Sequence, residues 1–295
     1  MNSQIVASKS TYSELYENLS LSMDPFCSTI NGCRTISIKI NLCDARTADT
    51  GAITHPLFLD ALLRYLRETL GDSVTINVVE SDATVASPDL FIEWFGFLPV
   101  LKRWNANYIN LSKDKKILKK IDGRVFHNLT VPLTIAQSDC FISLAKLKTI
   151  SSTKITCALK NQFGCIPYKK KIQLHAYLDD AIVDANLAMP PDLSIVDGII
   201  AHVGDKGPTF GRPIPANIFV VGNDPVAVDS FCAKMLGFNP FFVGHIRKAA
   251  RAKVGSMDNY SIKFSGLSKM PHIDSEFNMP EVYLTKIAVR LLKRK

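Results

Sequence analysis

Short apolar, β-branched runs that alternate with segments of 3.6-residue apolar period predict an α/β fold: a mainly parallel β-sheet with flanking helices in three layers, carrying a small inserted subdomain. Three observations carry this expectation. Thr35-Ile-Ser-Ile-Lys-Ile-Asn-Leu42 and Ser73-Val-Thr-Ile-Asn-Val-Val-Glu80 read as strands on either side of a helix whose apolar stripe is Leu57, Ala61, Leu62, Tyr65, Leu66 and Leu70. Thr54 and Pro56 supply an N-cap and an early-turn proline, and Gly71 closes the helix. A strand, crossover helix and strand imply parallel pairing with a right-handed connection. Ser138 to Lys146 repeats the strand pattern. After Pro167 the alternation resumes, with a helix over 174–189, strands over 193–200 and 217–222, and a helix opened by Asp224-Pro225 and running to Gly237.

The remaining segments complete the expected organisation. Residues 1–34 read as an N-terminal helical extension, 35–270 as the α/β domain, and 271–295 as a basic C-terminal tail. From Pro88 to Lys102 the aromatic-rich run with Phe91, Trp94, Phe95, Phe97, Leu98 and Leu101 has helical spacing and reads as core or lid packing rather than a base-stacking platform. Asn107 to Val131 reads as irregular and β-rich, which places an insertion at about 85–135. Thr156 to Gly164 reads as a short helix ended by glycine.

Composition narrows the function classes. With 295 residues and 47% apolar content the chain can bury a large core. No apolar run reaches about 18 residues, the minimum for a membrane span, and the first two dozen residues lack the apolar core of a signal peptide. A cytoplasmic protein is expected, with membrane attachment disfavoured. The tail from Ile287 to Lys295 is basic and amphipathic, and reads either as a packed terminal helix or as a surface-docking one. Seven cysteines show no C-x-x-C spacing, so neither a disulfide framework nor an iron–sulfur or zinc run is written here. The net charge of +8 is spread over Lys113–Lys120, Lys169–Lys171, Arg247–Lys253 and the tail, without a nucleic-acid-binding signature. A small anionic ligand or an acidic partner fits the same numbers, and no nucleic acid is expected.

The chemistry concentrates between Lys146 and Gly211. Lys146 and Lys148 lie two apart at the end of an apolar strand and share a face. Lys160 follows in the short helix with Asn161. Converging ammonium groups beside an amide suit a phosphate or carboxylate, and a buried lysine can also act as base or nucleophile. Asp197 sits between an apolar strand and Gly198, where α/β sites place an acid or metal ligand. Asp229 lies one turn into an apolar helix, so it needs a lysine, a backbone group or a ligand as partner. Asp224 reads as an N-cap. The glycine loop with Gly204, Gly207, Pro208 and Gly211 matches neither G-x-G-x-x-G nor a P-loop, and turns tightly beside a ligand or a strand. Cys43 to Ile53 forms a long strand-to-helix loop, with Asp44, Arg46 and Asp49 as ligand contacts or ordinary surface charges. His175 and Asp179 are one helical turn apart. No H-x-x-H, H-E-x-x-H or G-x-S-x-G pattern occurs, and no metal site is expected.

Taken together, Lys39-Ile-Asn41-Leu42, Thr54-His-Pro, Glu80-Ser81, Lys146-Leu-Lys148-Thr149, Ala158-Leu-Lys160-Asn161 with Gly164, His175, Val196-Asp197-Gly198, Gly207-Pro208-Thr-x-Gly211 and Asp224-Pro225-Val-Ala-Val-Asp229 resemble the domain of unknown function 362 (DUF362) family over roughly residues 35–237. Many members of that family carry a ferredoxin-like module with iron–sulfur cysteine runs. This chain lacks such a run, so the redox label does not transfer and its cofactor stays unknown. Members also place a histidine just after Lys-x-Lys-Thr, where this chain has Ile150, and a glycine where it has Cys157.

The resemblance and the residues together lead to one expected pocket. Lys160, Asp197 and Asp229 are its expected catalytic residues; Lys39, Asn41, Glu80, Lys146, Lys148, Asn161, His175, Gly207 and Gly211 are its expected ligand contacts. Three functions fit: an enzyme or enzyme-derived protein acting on a small anionic substrate, a noncatalytic module binding an anionic ligand or a protein, and a subunit that docks on a separate iron–sulfur protein.

Overall fold

The computed structural model describes residues 3–83, 87–168, 171–204 and 211–277. Its strands in chain order are β1 (Gln4–Lys9), β2 (Thr35–Lys39), β3 (Thr75–Glu80), β4 (Asn107–Asn110), β5 (Lys116–Lys120), β6 (Asn128–Pro132), β7 (Cys140–Ile150), β8 (Lys154–Thr156), β9 (Leu193–Val203), β10 (Arg212–Gly222) and β11 (Ser261–Ser265). The helices are α1 (Leu15–Met23), α2 (Cys27–Ile30), α3 (Pro56–Leu70), α4 (Pro88–Trp94), α5 (Phe97–Arg103), α6 (Leu133–Ala136), α7 (Ala158–Phe163), α8 (Leu178–Ala188), α9 (Pro225–Met235) and α10 (Gly244–Arg251). None of the described helices is long and apolar enough to cross a membrane.

The main sheet runs β11-β1-β10-β9-β7-β2-β3-β4, with β8 paired to β7. Pairs β9/β7, β7/β2, β2/β3, β3/β4 and β1/β11 are parallel, whereas β10 runs against both β9 and β1. From β2 the chain steps outward to β3 and β4, then returns to the other side of β2 as β7. The order therefore reverses between β2 and β7, and in open α/β sheets such a switch point opens a crevice outside the carboxyl ends of the strands.

Two apolar layers cover the sheet. On β7, Phe141, Ala145 and Leu147 enter one core with α7, α8, α9 and α10, while Ile142 and Leu144 enter the other with α1, α3, α4 and α5. The alternation is the strand's two-residue side-chain period. The three-layer α/β expectation thus holds, with β10 and the short β8 as antiparallel members.

Four local expectations change. The segment 1–34 is not a helical extension, because Ile5, Val6 and Ala7 are fully apolar and buried on both faces of β1, an interior strand between β10 and β11. The insertion is smaller than 85–135: α4 and α5 lead into β4, which extends the sheet beside β3, and only β5 and β6 form a separate two-stranded sheet. Phe91 and Phe97 are core residues as expected, yet Trp94 and Leu98 face solvent. His55, not Thr54, caps α3, its Nδ1 accepting from the Leu57 amide at 3.2 Å, while the Thr54 hydroxyl accepts from the Asn41 amide at 2.8 Å. Asp224 caps α9 as expected, accepting from Val226 and Ala227 at 2.8 and 3.0 Å. Beyond residue 277 the basic tail lies outside the described residues.

Because β1 is paired on both edges, deleting residues 1–9 should abolish cooperative unfolding. Thermal melts followed by far-ultraviolet circular dichroism test this, and a truncated chain that melts within a few degrees of the full chain would show β1 to be dispensable.

Candidate functional site

At the β2/β7 switch point a cavity of about 260 Å³ opens above the strand ends. Lys39 and Asn41 come from the end of β2, Glu80, Ser81 and Asp82 from the end of β3, and Lys148 from β7. Helix α7 contributes Lys160 and Asn161, and a 3₁₀ helix over Lys171–Tyr177 contributes Lys171 and His175. Ile150, Leu42 and Phe163 supply apolar wall.

Three of the four lysines are fully engaged by the protein. Lys39 Nζ lies 2.7 Å from Glu80 Oε1 and donates to the Ile40 carbonyl at 2.6 Å and to Asn161 Oδ1 at 3.4 Å. Glu80 is completed by the amides of Ser81 and Leu42, at 2.9 and 2.8 Å. Lys148 Nζ donates to Asn41 Oδ1 at 2.6 Å, to the Ala52 carbonyl at 2.8 Å and to Cys43 Sγ at 3.6 Å. Lys171 Nζ donates to Ser81 Oγ and to the carbonyls of Gly164 and Ile166, the latter two at 3.2 and 3.1 Å. An ammonium has three protons, and each of these has three acceptors. Burial draws the Lys171 amine down to about 8, against the pull of Glu80.

Asn161 knits the site together. Its Nδ2 donates to the Lys39 carbonyl and to Ser143 Oγ, both at 3.1 Å, while Oδ1 accepts from Asn41 Nδ2 at 3.2 Å. Gly164 is required by a close approach: a Cβ there would stand 2.9 Å from Lys39 Nζ.

Lys160 differs from the other three. It is half-buried against the same cavity, and its Nζ makes no hydrogen bond or ion pair among the described residues. Burial, reinforced by the Lys148 charge, brings its amine down to about 8. Thr156 also lines the cavity, with a hydroxyl that has no partner among the described residues. An unpaired amine and a hydroxyl in a field of fixed positive charge can bind an anion and can exchange a proton near neutral pH.

Several expected site residues lie elsewhere. Lys146 and Asp197 form a fully buried ion pair at 2.9 Å on neighbouring strands, and Asp197 is completed by Tyr12 Oη at 3.2 Å to each oxygen and by the Ile199 amide at 3.1 Å. Neither lines the cavity. Asp229 accepts from the amides of Ala158 and Leu159 at 2.8 and 3.2 Å and faces His245 Nε2 at 3.7 Å, so it anchors the start of α7 from outside the cavity. Burial pushes its carboxyl up, with His245 opposing. Gly211 packs on His202, where a Cβ would come within 2.4 Å of Nε2, and Gly207 lies outside the described residues. His175 lines the cavity from a 3₁₀ segment, and Asp179 instead lies 4.0 Å from His245 Nδ1. Asp44 pairs with Arg46 at 3.1 Å, and Asp49 faces His55 at 3.5 Å. In the opposite direction, Lys171, Ser81, Cys43 and Thr156 line the cavity without having been expected there. Lys171 belongs to a three-lysine run that reads as surface charge, and only its burial on Ser81 distinguishes it.

Comparison with known proteins places the chain. A thylakoid-associated protein of Synechocystis sp. is 27% identical over 217 residues, which cover 70% of this chain and 64% of that protein. The chain therefore matches under two thirds of this curated relative's length. Among solved structures, the lactate racemase apoprotein from Thermoanaerobacterium thermosaccharolyticum is similar at a TM-score of 0.40 and 9% identity, over 73% of this chain and 53% of that one. A Thermotoga maritima protein from a structural genomics programme is similar at a TM-score of 0.39 and 12% identity, over 69% and 53%. The model of the domain of unknown function DUF362 matches residues 36–234, which hold every residue of the cavity, and the chain belongs to that family.

Proposed function

We propose that the protein binds a small anionic substrate in the lysine pocket between β2 and β7, with Lys160 as the amine that meets it, and that it is an enzyme or derived from one. The observation that carries this reading is the contrast between Lys160, which has no partner among the described residues, and Lys39, Lys148 and Lys171, which have three acceptors each. A charge left without a partner in a half-buried site costs stability, and a ligand that neutralises it returns that cost. Glu80 offsets one ammonium, and the remaining field favours an anion.

Proton transfer in this reading falls to Lys160. Asp229 and Asp197, expected as catalytic acids, act as positioning residues: Asp229 holds the α7 amides just before Lys160, and Asp197 holds Lys146 across strands β7 and β9. A noncatalytic binding module is the second reading, favoured by Ile150, which lines the cavity where the family resemblance leads one to expect a histidine. The cytoplasmic placement belongs to the same proposal and rests on the seven cysteines, all of them free thiols, as a reducing compartment keeps them.

Thermal shift with oxalate, sulfate and inorganic phosphate tests the pocket. At least one of these anions should raise the melting temperature, and Lys160→Met should abolish the rise without lowering the melting temperature of the unliganded protein. A rise that survives the substitution would sink the assignment of Lys160. The amine is charged below about 8 and neutral above, so affinity should hold at neutral pH and weaken as pH rises through that value, by up to about tenfold per unit. Titration at a series of pH values reads this directly; affinity that stays flat well above 8 would contradict it. Lys39→Met should behave in the opposite way to Lys160→Met, costing about 3–5 kcal/mol because the buried Glu80 carboxylate loses its counter-charge. Urea unfolding of the two variants side by side provides the check.

A further inference from the structure

We infer that Lys160 is a covalent amine, whose Nζ condenses with the carbonyl carbon of a small aldehyde or 2-oxo acid that carries an anionic group. The inference rests on the anion-pocket reading and names the substrate class that the pocket takes.

The cavity already holds three ammonium groups whose protons are committed to protein acceptors. They supply an electrostatic field but cannot change partners without breaking the ends of β2, β3 and α7. Lys160 in its charged form adds the ammonium that has no committed acceptor among the described residues. In its neutral form Lys160 further offers a nitrogen lone pair that has no partner among the described residues, facing a cavity of about 260 Å³, enough for a compound of a few carbon atoms. With its amine at about 8, Lys160 has on the order of a hundredfold more free base at pH 7 than an ordinary lysine of pKa about 10.4. Leu42, Ile150 and Phe163 shield part of the site from water, which protects a C=N bond from hydrolysis. The Thr156 hydroxyl, which has no partner among the described residues, is a donor available to the substrate's anionic group.

The step balances without an oxidant. The neutral Nζ adds to the carbonyl carbon, the C=O π pair moves to oxygen, and a proton from nitrogen passes to that oxygen, giving a carbinolamine. A second proton, delivered from solvent or from His175 at the rim, lets the hydroxyl leave as water, and the nitrogen lone pair closes the C=N bond. One carbonyl, one amine and one proton are consumed, and one iminium and one water are formed. The iminium then withdraws electrons from the neighbouring carbon, the usual purpose of such an adduct.

Glyoxylate and pyruvate, each added with cyanoborohydride to the full chain, provide the test, read by intact mass and peptide mapping. The expected result is one reduced adduct per chain, on the peptide bearing Lys160, formed on the order of a hundredfold faster than on exposed lysines such as Lys113 and Lys116. Lys160→Arg should keep the oxalate-induced rise in melting temperature and lose the adduct, and Lys160→Met should lose both. No adduct with either probe, or an adduct spread evenly over exposed lysines, overturns the covalent role, while a persisting oxalate response leaves the anion pocket standing. Absence of any oxalate, sulfate or phosphate response in the unaltered protein removes the pocket reading and this inference together.

Discussion

The buried pair between Lys39 and Glu80 is the constraint on which the rest of the site depends. Each side chain ends a neighbouring parallel strand, and each has left water almost completely. Removing two charges from water costs several kcal/mol per ion, which close pairing offsets only when the remaining protons and lone pairs also find partners. Here they do: Ile40 and Asn161 complete Lys39, and the Ser81 and Leu42 amides complete Glu80. The loops leaving β2 and β3 are thereby held by the pair itself. Lys39 also lies directly against Gly164, so the end of α7 packs on the same pair.

Helix α7 is short, and at six residues it has little intrinsic stability. Its direction is set from outside. Asp229 holds the amides of Ala158 and Leu159, while Asn186 Nδ2 donates to the Leu159 carbonyl at 2.9 Å from α8. Clamped on both sides, the helix presents Lys160 to the cavity and Asn161 to the ends of β2 and β7. Lys160, without a partner among the described residues, is thus held in place by the packing of its helix.

A second buried pair, Lys146 with Asp197, serves the sheet rather than the cavity. Tyr12 bonds to both Asp197 oxygens from the turn before α1 and stacks on His55 at 4.0 Å between ring centroids. Burial and the Asp197 charge push the Tyr12 phenol well up, so it serves as a donor. Strand β1 leads directly into that turn, which explains why the first residues belong to the core and not to an extension. Two buried ion pairs thus have separate duties, one lining the β2/β7 crevice and one bracing β7 against β9.

Sequence alone determined the α/β class, the parallel β2-α3-β3 unit and the cap at Asp224, because strand and helix periods and cap chemistry are local; the grouping of Lys39, Asn41, Glu80, Lys148, Lys160, Asn161 and His175 followed from the family resemblance, which also drew in Lys146, Asp197, Asp229 and Gly211 that lie outside the cavity. Sequence also showed that Asp229 needs a partner. Which partner was decided by the tertiary structure, since the α7 amides lie some seventy residues away. For the same reason β1 escaped notice: a six-residue strand with a Ser and a Lys at one end is recognised only by its neighbours β10 and β11. Lys171 looked like surface charge, and its burial appears only when the 3₁₀ segment folds over Ser81. The division among the four lysines was likewise hidden, because the acceptors of each ammonium come from β2, β3, α7 and their loops. A lysine's identity is written in the chain, but whether its protons are already taken is a property of what folding brings within about 3 Å of it.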